Sequence, residues 1–148
     1  ENGRLVKLYE PYITLVRCLT RLTVPMEKMP FTINFLEFPA RSAADIVSAK
    51  HFYSAVFGWS FTDWGGDYAD TNGSGVGSGF NADPAHRPSQ PLAVIYVSDL
   101  EQARTGVIAA GGTVTRDVFS FPGGQRFHFR DPLGNELAVW SDIRPNGA

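Results

Sequence analysis

Apolar residues in 31–142 recur in two periods, an alternation typical of strands and a spacing of three or four typical of helices. The alternation in Ile33–Phe38 predicts a first strand. Ser42 and Asp45 then have the spacing of a helix capping box. A helical apolar stripe follows and ends at Gly58, a residue suited to the left-handed conformation that closes a helix. The chain is therefore predicted to begin its folded part with a strand and a helix.

The same plan of strand, helix and further strands occurs a second time. The first copy covers Ile33–Phe80 and the second covers Leu92–Trp140, where Ser98 or Asp99 is the expected helix cap. The other predicted strands are Ser60–Trp64, Tyr68–Thr71, Gly73–Phe80, Leu92–Val97, Thr113–Phe121, Gln125–Arg130 and Glu136–Ser141. Paired units of this size predict an α+β fold with a curved mixed sheet that closes around a small-molecule cavity.

The length of 148 residues predicts one domain. We place that domain at residues 31–142, with modules at 31–81 and 91–142 and a short tail at 143–148. Residues 1–30 differ from the rest, because leucines and one tyrosine recur there at helical spacing. We interpret this segment as an N-terminal extension, partly helical, that packs on the domain or on a partner subunit.

Composition and charge exclude several classes of protein. A net charge of −2 gives no reason to expect nucleic acid or an anionic membrane as a partner. No apolar run is long enough to span a bilayer. The single cysteine, Cys18, excludes an intrachain disulfide and a thiolate metal cluster, and it fits a reducing compartment. We therefore expect a cytoplasmic protein.

Three stretches of the chain resemble the vicinal oxygen chelate superfamily, which includes glyoxalases, bleomycin-resistance proteins and extradiol dioxygenases. They are Ala49–Trp59, Val97–Gly112 and Arg130–Leu137, in that order and at the family's spacing. The resemblance implies two βαβββ modules that form one cup with helices on the outside. It also implies a chain that often dimerises, so we expect a homodimer.

The resemblance also implies where a metal would bind, namely at His or Glu residues on the first and last strand of each module. The corresponding positions here carry Phe35, Leu92 and Ala138, and residues 71–82 contain no Asp, Glu, His or Cys. None of these supplies a normal ligand for zinc, nickel or iron. We therefore predict no metal site and no cofactor, which argues against the family's metal-dependent activities.

Strand alternation predicts which side chains face the cup. The expected ligand-binding residues are mainly apolar, with three polar exceptions on the first strand and near the end of the chain. They are Phe35, Glu37, Leu92, Val94, Tyr96, Arg126, His128, Ala138 and Trp140. This make-up is typical of a small-molecule site.

Glu37 and His128 are the candidate catalytic residues. Glu37 lies between apolar neighbours, so it is either a general base or one half of a structural ion pair with Arg126 or another strand residue. His128 is either an acid–base group or a strand histidine with satisfied hydrogen bonds. Arg126 is either a binding group for a carboxylate or phenolate, or a solvated edge charge. His86, in the linker between the modules, either covers the mouth of the cup or, as we expect, lies in solvent.

The sequence favours a metal-free protein that binds an aromatic or amphipathic compound in the cup. Two alternatives remain open. The first is a lyase or isomerase that uses Glu37, with or without a metal in a non-standard site. The second is a dimerising interaction module, for which the N-terminal stripe is the main indication.

Overall fold

A computed structural model describes residues 28–142, so the predictions for residues 1–27 and for the tail at 143–148 concern parts of the chain outside the described residues. Eight strands and two helices follow one another in the described part. They are β1 (Thr32–Pro39), α1 (Ala43–Phe57), β2 (Ser60–Asp63), β3 (Tyr68–Asn72), β4 (Gly77–Asn81), β5 (Leu92–Tyr96), α2 (Leu100–Ala109), β6 (Thr113–Phe121), β7 (Gly124–Arg130) and β8 (Glu136–Ser141). The predicted α+β fold is confirmed, with most predicted bounds correct to within about two residues.

All eight strands form one mixed sheet in the order β2-β3-β4-β1-β5-β8-β7-β6. Each module has its first strand parallel to its last, as β1 is to β4 and β5 is to β8. The two modules meet where β1 and β5 pair antiparallel at the middle of the sheet. The curved sheet, or cup, is thus built by both modules of a single chain.

Local signals explain where α1 begins and ends. The Ser42 hydroxyl caps the helix by accepting from the backbone N–H of Asp45, at 3.3 Å. Gly58 ends it with a positive φ of 70°, a conformation in which a side chain would be strained. The expected capping box is altered, because the Asp45 carboxylate accepts from the N–H and guanidinium of Arg41 and not from the N–H of Ser42.

Each helix covers an apolar cluster on the convex face of the sheet. Under α1 the cluster consists of Phe38, Ala40, Ile46, Ala49, Tyr53, Phe61, Ala69, Phe80 and Ala82. Under α2 it consists of Ile95, Val97, Leu100, Ala103, Val107, Val114, Val118, Phe127, Phe129 and Val139. These clusters leave the other face of the sheet free to line a cavity. Within residues 28–142, neither helix has the length and hydropathy needed to cross a membrane.

Candidate functional site

The concave face of the sheet encloses a cavity of about 700 Å³. Residues from both modules and from the loops at its mouth line it. They are Lys28, Phe35, Glu37, Trp64, Asp67, Tyr68, Asp70, Asn81, Asp83, His86, Val94, Phe119, Ser120, Phe121, Pro122, Gly123, Arg126 and Trp140. This volume lies in the range of pockets that bury a small organic molecule.

An apolar cluster forms the floor of the cavity at the middle of the sheet. Leu92, Val94 and Ala138 are buried there, and Phe35 and Trp140 pack against them. Phe35 lies opposite Val94, and Val94 lies opposite Ala138, so the three share one row across β1, β5 and β8. The alternation of β1 and β5 thus places the predicted residues on the predicted face.

Aromatic rings form most of the walls. Six of the lining residues are aromatic, namely Phe35, Trp64, Tyr68, Phe119, Phe121 and Trp140. The Trp140 indole is held in place by its Nε1, which donates to Asn34 Oδ1 at 3.0 Å. The Phe121 ring lies 6.2 Å from the Trp140 ring, centroid to centroid. The cavity therefore presents several flat apolar surfaces to a ligand.

A buried ion pair crosses the cup from β1 to β7. Arg126 Nη1 donates to Glu37 Oε2 at 2.8 Å, and Asn81 Nδ2 donates to Glu37 Oε1 at 2.8 Å. Glu37 is only 1% exposed. Both carboxylate oxygens of Glu37 are therefore occupied, and the pairing with Arg126 is the arrangement that the structure shows.

His128 lies on β7, two residues after Arg126, and its ring is 5.8 Å from the Phe119 ring, centroid to centroid. It is buried, and its Nε2, like Arg126 Nε, has no hydrogen-bond partner among the described residues. Burial lowers the pKa of His128 to about 4, with help from the positive charge of Arg126. The imidazole is therefore neutral at neutral pH.

We expect His128 to make the folded state sensitive to mild acid. Unfolded, its pKa returns to about 6.5, whereas the folded pKa is about 4, so stability is lost as pH falls between these values. As the pH falls from 7 to 5, the number of protons bound on unfolding should rise further in the wild type than in His128→Gln, by about one proton at most. Urea unfolding at several pH values measures this, and an identical pH dependence in both proteins would contradict it.

The linker between the modules folds over the mouth of the cavity. Asp83 Oδ2 contacts His86 Nδ1, and the His86 ring stacks on Phe119 with 5.2 Å between centroids. Two arginines of the second module hold this segment by its carbonyl groups, since Arg116 Nη1 donates to Ala85 O at 2.9 Å and Arg126 Nη2 donates to His86 O at 3.4 Å. His86 thus lines the cavity, contrary to the expected solvent position.

The opposite wall of the cavity is formed by β3 and the turn before it. Trp64, Asp67, Tyr68 and Asp70 line it, and we call these four residues the acidic wall. Trp64 Nε1 donates to Asp70 Oδ2 at 2.7 Å. Burial raises the pKa of the Asp70 carboxyl, and burial with the nearby Glu37 and Asp70 charges raises the pKa of the Tyr68 phenol. The phenol is therefore a hydrogen-bond donor at neutral pH.

The structure brings together some, but not all, of the residues predicted for the site. Five of them line the cavity, namely Phe35, Glu37, Val94, Arg126 and Trp140. Leu92 and Ala138 lie in the floor beneath it, and His128 contacts the Phe119 ring without lining the cavity. Tyr96 packs on Trp140 at 5.2 Å, and its hydroxyl donates to Asp142 Oδ1 at 2.8 Å.

Other lining residues were not among the predicted binding residues. Two residues of the acidic wall, Tyr68 and Asp70, lie two positions apart on β3, so strand periodicity can assign them to one face. Which face they share depends on the pairing of β3 with β4, which the sequence does not show. His86 and Asp83 carry no such signal, because they lie in an irregular loop.

The metal that the resemblance implies has no suitable ligands at the expected positions. Phe35, Leu92 and Ala138 pack against Val94 and Trp140 as an apolar cluster. Carbon side chains offer no lone pair to a metal ion. Across the described residues, no group of three or more His, Cys, Asp or Glu side chains is placed to hold one. The side chains at these positions do not fit a metal centre.

Comparison with known proteins gives matches to one family. A family model described as the Glyoxalase/Bleomycin resistance protein/Dioxygenase superfamily matches residues 36–139. Proteins called "Putative glyoxylase CFP32", from Mycobacterium bovis and Mycobacterium tuberculosis, are 30% identical to the chain over 115 residues. These matches cover 70% of this chain and 44% of the relatives, so the chain spans less than half of their length.

Solved structures with a similar fold include proteins of different activity. The Mn(II)-bound glyoxalase from Novosphingobium aromaticivorans has a TM-score of 0.56 at 20% identity, over 80% of this chain and 42% of that one. The NAD-dependent benzaldehyde dehydrogenase from Legionella pneumophila has a TM-score of 0.59 at 12% identity, over 72% of this chain and 96% of that one. At such identities the likeness concerns the fold alone.

Proposed function

The chain belongs to the Glyoxalase/Bleomycin resistance protein/Dioxygenase superfamily, and from this premise we propose that it binds a small aromatic or amphipathic compound in the cup without a metal ion. The observation that carries the proposal is the cavity of about 700 Å³ with six aromatic residues along its walls. Burial of apolar surface at about 25 cal/mol per Å² gives a planar ligand most of its binding energy in such a place. The polar groups would then select its orientation.

The polar geometry favours binding over acid–base catalysis. A general base needs a free lone pair within reach of the substrate proton. Both oxygens of Glu37 accept hydrogen bonds from protein groups, and its carboxylate is paired with Arg126. His128 is neutral at neutral pH, and it is not among the residues that line the cavity. These contacts support a structural role for Glu37 and a supporting role for His128.

The metal-dependent chemistry of the family finds no support in the cup. The Mn(II) bound to the Novosphingobium glyoxalase belongs to that protein, which this chain resembles over 42% of its length. The apolar packing of Phe35, Leu92 and Ala138 supports metal-independent binding here. The name "putative glyoxylase" likewise describes relatives more than twice as long as the matched part.

Binding of simple aromatic fragments tests the proposal. We expect indole and 2-naphthol to bind the purified protein in ligand-observed NMR. The double variant Phe119→Ala/Phe121→Ala should weaken binding at least about tenfold, because it removes two rings of the wall. Phe52→Ala is the matched control, since this ring lies on α1 and is 55% exposed outside the cavity. The proposal fails if neither fragment binds, or if Phe52→Ala weakens binding as much as the double variant.

The metal-independent part of the proposal is tested in the same assay. We expect EDTA to leave fragment binding unchanged, and about 1 mM Zn²⁺, Ni²⁺ or Mn²⁺ to leave the melting temperature within error. A site with micromolar affinity would add about 4 kcal/mol of stability at that concentration, which a thermal shift detects easily. Loss of binding on chelation would restore a metal-dependent site.

A homodimer and a cytoplasmic location complete the proposal. The resemblance to a family that often dimerises supports the first, and the single cysteine in the sequence supports the second. Light scattering coupled to size exclusion measures the mass of the protein in solution. A mass of one chain at micromolar concentration would contradict the dimer.

A further inference from the structure

The charged groups of the cavity fall into two sets. Those on one side are paired with an opposite charge inside the protein. Arg126 pairs with Glu37, and Lys28 Nζ lies 2.7 Å from Asp142 Oδ2. On the acidic wall, Asp67 and Asp70 have no ion-pair partner within residues 28–142. The cavity therefore has negative charge that the described residues do not neutralise.

The Asp70 carboxylate lines the cavity beside a glycine of the sheet. Asp70, Gly79 and Glu37 share one row across β3, β4 and β1. Gly79 has no side chain, and a Cβ there would lie 3.1 Å from Asp70 Oδ1 and 2.8 Å from Tyr68 Oη. The glycine thus leaves room for these two groups, while Trp64 Nε1 occupies only the other oxygen, Oδ2.

An ammonium group already sits against an aromatic ring in the same cavity. Lys28 Nζ lies 4.6 Å from the centroid of the Trp140 ring, next to the Asp142 carboxylate. The acidic wall offers the same two kinds of group, rings in Trp64 and Tyr68 and a carboxylate in Asp70. Here, however, no lysine or arginine of the described chain takes the place of the cation. Such combinations of ring and carboxylate suit organic cations.

We propose that the acidic wall binds the cationic amine of an aromatic ligand whose ring lies on Phe119, Phe121 and Trp140. The inference rests on the proposed function and adds the charge of the ligand. Asp70 is the main specificity residue, and Asp67 adds to the negative electrostatic potential at the acidic wall. Burial raises the pKa of Asp70, because it disfavours the ionised carboxylate. A bound cation would stabilise that ionised form.

An anionic ligand fits this cavity less well. The guanidinium of Arg126 already pairs with Glu37, and its Nε is buried. Glu37 and Asp83 line the same cavity, so a bound carboxylate would share it with two acidic side chains. Like charges in a partly buried site repel one another strongly. The cup therefore selects for a cation and against an anion.

Three compounds with one ring and different charge test the inference by calorimetry. They are tryptamine, which is a cation at pH 7, the neutral alcohol tryptophol, and the anion indole-3-acetate. We expect tryptamine to bind at least about tenfold more tightly than tryptophol, and indole-3-acetate to bind most weakly. The preference for tryptamine should shrink as salt is raised, because ions screen the attraction.

Two aspartate variants locate the effect. Asp70→Asn keeps an oxygen that accepts from Trp64 Nε1, and it should remove most of the preference for tryptamine over tryptophol. Asp63→Asn is the control, since it removes a negative charge from β2, where Asp63 pairs with Lys50 away from the cavity. This control should keep the preference.

The outcomes separate the inference from the proposed function. If tryptophol binds and tryptamine has no advantage, or if the advantage survives Asp70→Asn, the cation site is wrong and the aromatic cup stands. Tightest binding of indole-3-acetate would also overturn the cation site. If none of the three compounds binds, the cup does not take this ring and both ideas fail.

Discussion

Replacing Arg126 with methionine is expected to destabilise the protein by about 3–5 kcal/mol. The change leaves Glu37 as a buried carboxylate with 1% exposure and only the Asn81 amide as a partner. Removing one partner of a buried ion pair lowers stability by far more than the intact pair contributes. The remaining carboxylate keeps its desolvation penalty, and the attraction to Arg126 no longer offsets it. Urea unfolding at pH 7 measures the loss.

A double-mutant cycle shows whether Glu37 is the cause. Arg126→Met/Glu37→Gln removes both charges, so it should be more stable than Arg126→Met alone, although it has one more substitution. If the double variant is as unstable as the sum of both single variants, the two side chains do not interact and the pair has no structural role.

Arg116→Met is the matched control for the loss of an arginine. Arg116 Nη1 donates to the carbonyl of Ala85, and its guanidinium lies 4.1 Å from the centroid of the Phe119 ring. Arg116 forms no ion pair within residues 28–142, so we expect a loss of stability within about 1 kcal/mol. A loss as large as that of Arg126→Met would point to the linker contacts and not to the buried pair.

The fold was predictable because the strand and helix periods of the sequence agree with the final packing. On β1, Leu36 and Phe38 belong to one face and Phe35 and Glu37 to the other, and the structure places Phe38 in the convex core and Phe35 at the cavity. The internal duplication adds a second constraint, since both copies of the plan form equivalent halves of the sheet. Periodicity and repetition together specify the architecture.

The candidate site was only partly predictable, because its walls depend on contacts between distant segments. Arg126 and Glu37 are 89 residues apart, and the sequence left this pairing as one alternative among several. The linker reaches the cavity because Arg116 and Arg126 bind the carbonyl groups of Ala85 and His86. An irregular loop has no period from which such contacts follow, and the same holds for the choice of face at β3.

Replacing Gly124 with alanine is expected to lower the free energy of unfolding by about 3 kcal/mol or more. The same substitution should weaken ligand binding. Gly124 begins β7 with a φ of 156°, and a Cβ there would lie 2.1 Å from the carbonyl oxygen of Ser141 and 3.0 Å from Asp142 Cα. Both neighbours are backbone atoms, so β7 and β8 must separate to make room. Urea unfolding and the fragment assay measure the two effects.

Gly106→Ala is the control that separates this clash from the general effect of adding a methyl group. Gly106 lies inside α2 with no atom within 4 Å of a Cβ at that position, so alanine should stabilise the helix by about 0.5–1 kcal/mol. Of the two substitutions, only Gly124→Ala should affect the site. Arg126 follows Gly124 by two residues on the same strand, and Phe121 pairs with Gly124 across the turn. If Gly124→Ala were as stable as the wild type and bound fragments equally well, the close approach of β7 to β8 would not position Arg126.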